Sequence, residues 1–392
     1  MKSARTLLNK KTPLMIDQQM AGVHGPMNET FGPLLALMGE NQVAGGVKTD
    51  STLNLQTFLT RVTEVRLKLQ QMNNSDDPRA MANALAKTVF EGKSTDLTDT
   101  QGYGRLIAAS LGSQWRAFGQ TLFVEPLAQA WQGVLKPATA SLNSQWQTAI
   151  VDNWNRAFSG RYPFAGGESE ISLPMLGQFI RSDSGRIEQF LTRQLGGILH
   201  KAGNQWVVDE VNGQGVQINP DFLKAINQLS QLSDLLFADG SQGLRFELRA
   251  RAVRDVVETD LTIDGQKLRY FNQMESWQSF RWPGETYKPG AMLTWTSVNA
   301  GARLFGDYQG NWGLIRWLAQ AKAEKLDESR YRLIFTAPDG LPLTWILRTE
   351  LGEGPLALLK LRGFKLPKNI FAVKPGNHTA IAAINDDDLI ME

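Results

Sequence analysis

GLRFELRARAVRDVVETDLTIDGQKLRYF, residues 243–271, is where the chain changes period. Leu244, Phe246 and Leu248 alternate with Arg245, Glu247 and Arg249, the two-residue repeat of a half-buried strand. Asp264-Gly265 then predicts a two-residue hairpin turn that sets Leu261 opposite Leu268. Downstream, WQSFRW, MLTWTS and ARLF are further short strands bounded by glycine and proline. A second hairpin, SRYRLIFTA and LTWILRT, turns through Pro338-Asp339-Gly340. Strands at this density predict an antiparallel β-sandwich. Arg245, Arg249 and Arg251 share a strand face with Glu247 among them, which reads as a solvated face carrying cross-strand ion pairs.

Upstream of residue 243 the period is helical. STLNLQTFLTRVTEVRLKLQQM carries an apolar stripe with Asp50 or Ser51 available as cap, and Pro78 suits the first turn of the next helix. Trp146, Ile150, Trp154 and Phe158 recur every four residues and predict one core-facing stripe. GRYPFAGGESE, residues 160–170, is a glycine-rich break. Beyond it come LPMLGQFI, GRIEQFLTRQL, a small extended insertion around QWVVDE and GQGVQIN, and a helix opened by Asn219-Pro220. The resulting fold class is α+β multidomain: N-terminal helical domains followed by an antiparallel β-sandwich with a covering helix. The expected domains are a helical domain over 1–159, a second helical subdomain over 160–242, the β-sandwich over 243–373 and a flexible tail over 374–392.

The chemistry of the chain is read largely by exclusion. With 392 residues, 42% hydrophobic and 20% charged, it has ordinary globular composition, and a net charge of +2 forces no nucleic-acid partner. It has no cysteine, which removes disulfides, thiolate nucleophiles and Cys-based zinc sites. The three histidines, His24, His200 and His378, are scattered. Gly92-Lys93-Ser94 lacks the first glycine of a phosphate loop, Asp209-Glu210 has no sugar platform beside it, and Asp386, Asp387 and Asp388 lack calcium-loop spacing. GDYQGNWGLIRWL, residues 306–318, spaces Gly306, Gly310 and Gly313 before an apolar run. No Lys-Ser/Thr pair follows, so the glycines are expected to permit a tight turn and close approach of a helix, capped by Asn311, to a sheet. No enzyme activity, cofactor or metal is expected. The 11 tryptophans are abundant for this length; Trp282, between Arg281 and Pro283, reads either as core or as a partly exposed anchor.

LNSQWQTAIVDNWNRAFSGRYPF, LPMLGQFI with GRIEQFL, FRWPG, GDYQGNWGLIRWL and GFKLPKNIF resemble, in that order, the C-terminal half of the TssM/IcmF family of type VI secretion systems. The resemblance runs from about Gln120 to Phe371. It implies the periplasmic part of an inner-membrane protein, with the membrane engaged only through N-terminal spans not present in this sequence. It further implies a structural role linking the inner membrane to the outer-membrane lipoprotein TssJ. The expected partners are TssJ, the inner-membrane protein TssL, and further copies in a large envelope-spanning complex. Protein-binding residues are expected in two sandwich loops: Arg281, Trp282, Glu285 and Tyr287 in one, Asn299, Arg303 and Asp307 in the other. The alternative is a Trp-rich peptidoglycan- or carbohydrate-binding module, which needs exposed aromatic faces.

Overall fold

The computed structural model describes residues 26–38, 53–209, 216–350 and 352–372. The cap at Asp50 or Ser51, Glu210, His24, His378 and the tail over 374–392 lie outside the described residues. The N-terminal half is helical: α1 (Pro26–Leu37), α2 (Leu55–Asn73), α3 (Pro78–Phe90) and α4 (Asp96–Ser110). Asn54 caps α2, its side chain accepting from the Thr57 N–H, and Asp77 does the same for Ala80 ahead of Pro78. Thr95 and Thr98 form a capping box at α4. Gly92-Lys93-Ser94 therefore joins two helices, and no strand leads into it.

A single helical run then spans 116–158. It comprises α5 (Arg116–Gly119), α6 (Glu125–Trp146) and α7 (Asp152–Phe158), joined by wide π turns at Gln120–Val124 and Gln147–Val151. The first π turn precedes Pro126, whose missing N–H releases a backbone carbonyl. The second explains the four-residue spacing of the aromatic stripe. In a regular helix each four-residue step drifts by roughly 40°, so four such positions would fan over about 120°. The extra residue of the π turn takes up much of this drift, and Trp146, Ile150, Trp154 and Phe158 are all buried. Helices α8 (Leu173–Ile180), α9 (Arg186–Leu195) and α10 (Pro220–Leu236) complete this half, with a small hairpin of β1 (Leu199–Ala202) and β2 (Gln205–Val208) beside α10.

The C-terminal half is a sandwich of two antiparallel sheets. One has the order β6-β3-β11-β10-β9, from β6 (Gln278–Trp282), β3 (Leu244–Ala250), β11 (Pro342–Thr349), β10 (Arg330–Thr336) and β9 (Lys322–Lys325). The other has the order β5-β4-β7-β8, from β5 (Gln266–Tyr270), β4 (Val256–Ile263), β7 (Gly290–Ser297) and β8 (Ala300–Gln309). Leu261 pairs with Leu268 across the Asp264-Gly265 turn, as the sequence predicts. The covering helix α11 (Gly313–Leu318) is shorter than the apolar run suggested and crosses from β8 of one sheet to β9 of the other. Its Trp317 stacks on Phe335 of β10 at 4.4 Å, so the helix plugs an end of the sandwich.

The segment after the sandwich does not stay with it. A 3₁₀ turn, Gly354–Leu361, leads residues 362–372 back onto the helices. There the Asn143 side chain accepts from the Ile370 and Phe371 N–H groups, and Trp146 Nε1 donates to the Pro367 carbonyl. Phe371 stacks on Phe90 of α3 at 5.8 Å. Residues grouped with the sandwich on sequence thus strap the helical half.

Candidate protein-binding surfaces

The glycine-rich turn before α11 does hold an anion, and the anion is Glu170. The Trp312 N–H donates to Glu170 Oε2 at 3.0 Å and Arg316 Nε lies 3.5 Å from the same oxygen. Gly310 has φ +103°, and a Cβ there would sit 2.2 Å from Glu170 Oε1; one at Gly313 would sit 2.1 Å from the Tyr308 carbonyl. Only glycine lets the carboxylate and the sheet come so close. Trp312 Nε1 donates to the Ile171 carbonyl, and Arg316 stacks over Tyr162 at 3.9 Å with Arg362 on the same ring at 5.5 Å. The break at 160–170 is thus clasped to the sandwich. Burial raises the Tyr162 hydroxyl above the ordinary tyrosine pKa, against the opposing pull of Arg316 and Arg362. Asn311 is not the helix cap: Trp312 occupies that position, and the Asn311 carbonyl accepts from Trp282 Nε1.

That bond decides Trp282. The side chain is 1% exposed and packs edge-on against Trp312 with ring centroids 5.0 Å apart. It is core, because an indole whose N–H has a backbone partner and whose ring packs against another gains most by leaving water. Its neighbours differ. Tyr287 is fully exposed, and Arg281 and Glu285 form a surface ion pair at 3.3 Å. The loop that carries Tyr287 is held at both ends by one buried carboxylate. Asp264 accepts from the Gly284 N–H at 2.9 Å and from the Gly290 N–H at 2.8 Å.

Asn299, Arg303 and Asp307 do not form a loop. Arg303 and Asp307 sit in β8, the outer strand of its sheet, with a register shift at Phe305, and Asn299 is in the turn before it. The sequence predicts only its middle, residues 302–305, as a strand, because Gly301 and Gly306 break the two-residue pattern on either side. Asp307 is exposed beside Met292, its partner on β7. Arg303 is pulled inward: it donates to Asp339 and to the Ser297 hydroxyl and lies 4.4 Å over Trp295. Asp339 also accepts from Trp295 Nε1, so Arg303 serves the packing of the sandwich. Asp307 pairs near Gly290 while Asn299 sits beyond Ser297, a strand length of roughly 23 Å away. The structure therefore brings Arg281, Glu285, Tyr287 and Asp307 to one end and leaves Asn299 at the other. Asp264 is the residue that sequence reasoning missed; its Asp-Gly turn was legible, its second task was not.

Residues 137–242 match the Type VI secretion protein IcmF helical domain, and residues 246–351 match the Type VI secretion protein IcmF C2-like domain. A solved chain titled "Type VI secretion system membrane core complex" is 49% identical, with 95% of this chain and 78% of that chain covered and a TM-score of 0.69. The chain belongs to the TssM/IcmF family of type VI secretion systems. A second structure, titled "Type VI membrane complex", is also 49% identical over 94% of this chain and 79% of the other, with a TM-score of 0.79. The TssM C-terminal domain from EAEC is 49% identical, covers 61% of this chain over its whole length, and gives a TM-score of 0.59. No curated protein sequence gave a match. The two TssM/IcmF domain descriptions meet between residues 242 and 246, where the period of the sequence changes. Among the described residues no helix is long and apolar enough to cross a membrane, and no three His, Cys, Asp or Glu side chains are placed to hold a metal.

Proposed function

We propose that this chain is a structural part of a type VI secretion membrane complex and performs no chemistry. In this reading it is the periplasmic region of an inner-membrane protein. It tethers that membrane to the outer-membrane lipoprotein TssJ, works with TssL, and lines the envelope-spanning channel alongside further copies of itself. The observation that carries the reading is the 49% identity, over 95% of this chain, to a chain of a type VI secretion membrane core complex. The TssJ surface is the sandwich end bearing Tyr287, where an exposed aromatic ring stands on a loop that Asp264 clamps. A clamped loop loses little freedom on binding, which favours affinity. The alternative, a Trp-rich peptidoglycan- or carbohydrate-binding module, finds no support in the tryptophans. All tryptophans lie within the described residues, and none is exposed. Trp277, the most open of those in the sandwich, has Arg249 and Arg348 stacked on its ring at 4.6 and 4.1 Å.

The test is binding of the purified chain to soluble TssJ from the same secretion cluster, measured by interferometry. The expected result is a saturable complex that Tyr287→Ala weakens about thirtyfold while leaving the melting temperature unchanged. A folded chain with no affinity for TssJ would refute the tether.

A further inference from the structure

The two outer faces of the sandwich carry opposite charge. On the five-stranded sheet the outward positions hold Arg281, Arg245, Arg249, Arg348, Arg330, Arg332 and Lys322 against only Glu247 and Glu324. On the four-stranded sheet Lys267 and Arg269 face Glu258, Asp260 and Asp307. Part of the positive face is neutralised where it stands: Arg348 by Glu247, Arg332 by Glu324, and Arg330 by Asp327. Arg245 and Arg281 are not neutralised in this way. They are directly opposed in the register of β3 and β6, a like-charge pairing that costs stability unless an anion lies between. Arg245 has no hydrogen bond or ion pair among the described residues, and Arg281 reaches only the exposed Glu285. A cavity of about 560 Å³ is lined here by Arg245 and Arg281, with Arg348, Glu247, Ser279 and Glu350 around it.

The adjoining backbone edge is closed. The Arg281 N–H donates to Gln266 Oε1, and Gln266 Nε2 donates to the Arg281 carbonyl. A ligand must therefore approach the face and be read by arginine side chains, which suits carboxylates. The sequence contains one run of three consecutive acids, Asp386-Asp387-Asp388, followed by Glu392. Its point of departure is fixed: the Ala372 N–H donates to the Gln217 carbonyl just before α10. Helix α10 spans about 25 Å at 1.5 Å per residue and ends where the Gly243 N–H donates to the Leu236 carbonyl, two residues before Arg245. The chain from residue 373 to 386 reaches up to about 46 Å when extended at roughly 3.3 Å per residue.

We propose that the acidic segment 386–392 docks on the arginine face of the five-stranded sheet, its carboxylates meeting Arg245 and Arg281. Tethering supplies an effective concentration on the order of millimolar, so weak surface pairs suffice. The complete absence of cysteine makes disulfide trapping clean. In the full chain, Ser279→Cys with Leu389→Cys should form an intramolecular disulfide under mild oxidation about tenfold faster than Ala302→Cys with Leu389→Cys, whose partner lies on β8 of the other sheet. The advantage should vanish at about 1 M salt, where the screening length falls to about 3 Å. It should also vanish in the background of Asp386→Asn, Asp387→Asn and Asp388→Asn. Equal rates for the two pairs, indifference to salt, or disulfides formed only between chains would overturn the proposal.

Discussion

Replacing Glu170 by alanine tests the clasp between the two halves of the molecule. Its carboxylate is 14% exposed and Arg316 21%, so the pair is screened by little water. The change deletes a charge-assisted bond to the Trp312 N–H and leaves that buried donor unpaired, a loss of about 1.5–3 kcal/mol. Arg316 keeps the Tyr162 ring but loses its carboxylate, so the total comes to about 3 kcal/mol. At roughly 1–2 °C per kcal/mol for a chain of this length the melting temperature should fall by about 3–6 °C, read by tryptophan fluorescence or calorimetry. Glu170→Gln keeps an acceptor for the Trp312 N–H and should cost only about 1 kcal/mol. Gly310→Ala drives a methyl into the carboxylate at positive φ and should itself destabilise. Because Glu170→Ala removes what that methyl meets, the double variant should be less destabilised than the sum by at least about 1 kcal/mol. Strict additivity, or a Glu170→Ala protein within about 0.5 kcal/mol of the parent, would refute the clasp.

Trp282→Ala should destabilise the free protein by about 3–5 kcal/mol, as an emptied core site does, whereas Tyr287→Ala should stay within about 0.5 kcal/mol in the same urea titration. Asp264→Ala should weaken TssJ binding without contacting the partner, because the loop ends it holds come free; amide exchange at Gly284 and Gly290 should quicken in parallel. Stability should also depend on alkaline pH. Burial raises Tyr162 and Tyr308 above the ordinary value, so the native state keeps phenols protonated that the unfolded chain ionises near pH 10. Their contribution is complete below that pH and is lost as pH rises through the folded values. Urea midpoints from pH 8 to 11 should fall, and Tyr162→Phe should flatten the fall.

Local physics was legible in the sequence, and contacts between distant segments were not. The Asp264-Gly265 turn fixed the register of its hairpin, since both turn residues must take positive φ (+46° and +77°) and few pairs do so readily. The opposite case is β8, where Gly301 and Gly306 broke the alternation, so only residues 302–305 read as strand and the rest of the edge strand as loop. The glycines at 306–313 announced close approach, but their anion comes from Glu170, 142 positions from Trp312, and no local pattern encodes that pairing. The same distance hid the strap, in which Asn143 meets Phe371 across 228 positions. The four-residue aromatic spacing from Trp146 to Phe158 sits between these cases. It was visible as a stripe, yet a regular helix would not have kept it on one face, so the spacing itself carried the signature of the π turn at Gln147–Val151.

For the candidate surface the consequence is specific. Exposure of Tyr287 and burial of Trp282, five residues apart on neighbouring backbone, follow from where three N–H donors find acceptors. The Trp282 indole reaches the Asn311 carbonyl and stays inside. The Gly284 and Gly290 amides reach Asp264 and force the chain between them outward. A loop built this way keeps its shape with or without a partner, so binding through it should be fast and show little structural change. An association rate near 10⁵–10⁷ M⁻¹s⁻¹ for TssJ, unaffected by preincubation, is the expected signature. A slow, saturating association phase would mean that this end of the sandwich must rearrange, and the Asp264 clamp would then be an obstacle to binding and not its support.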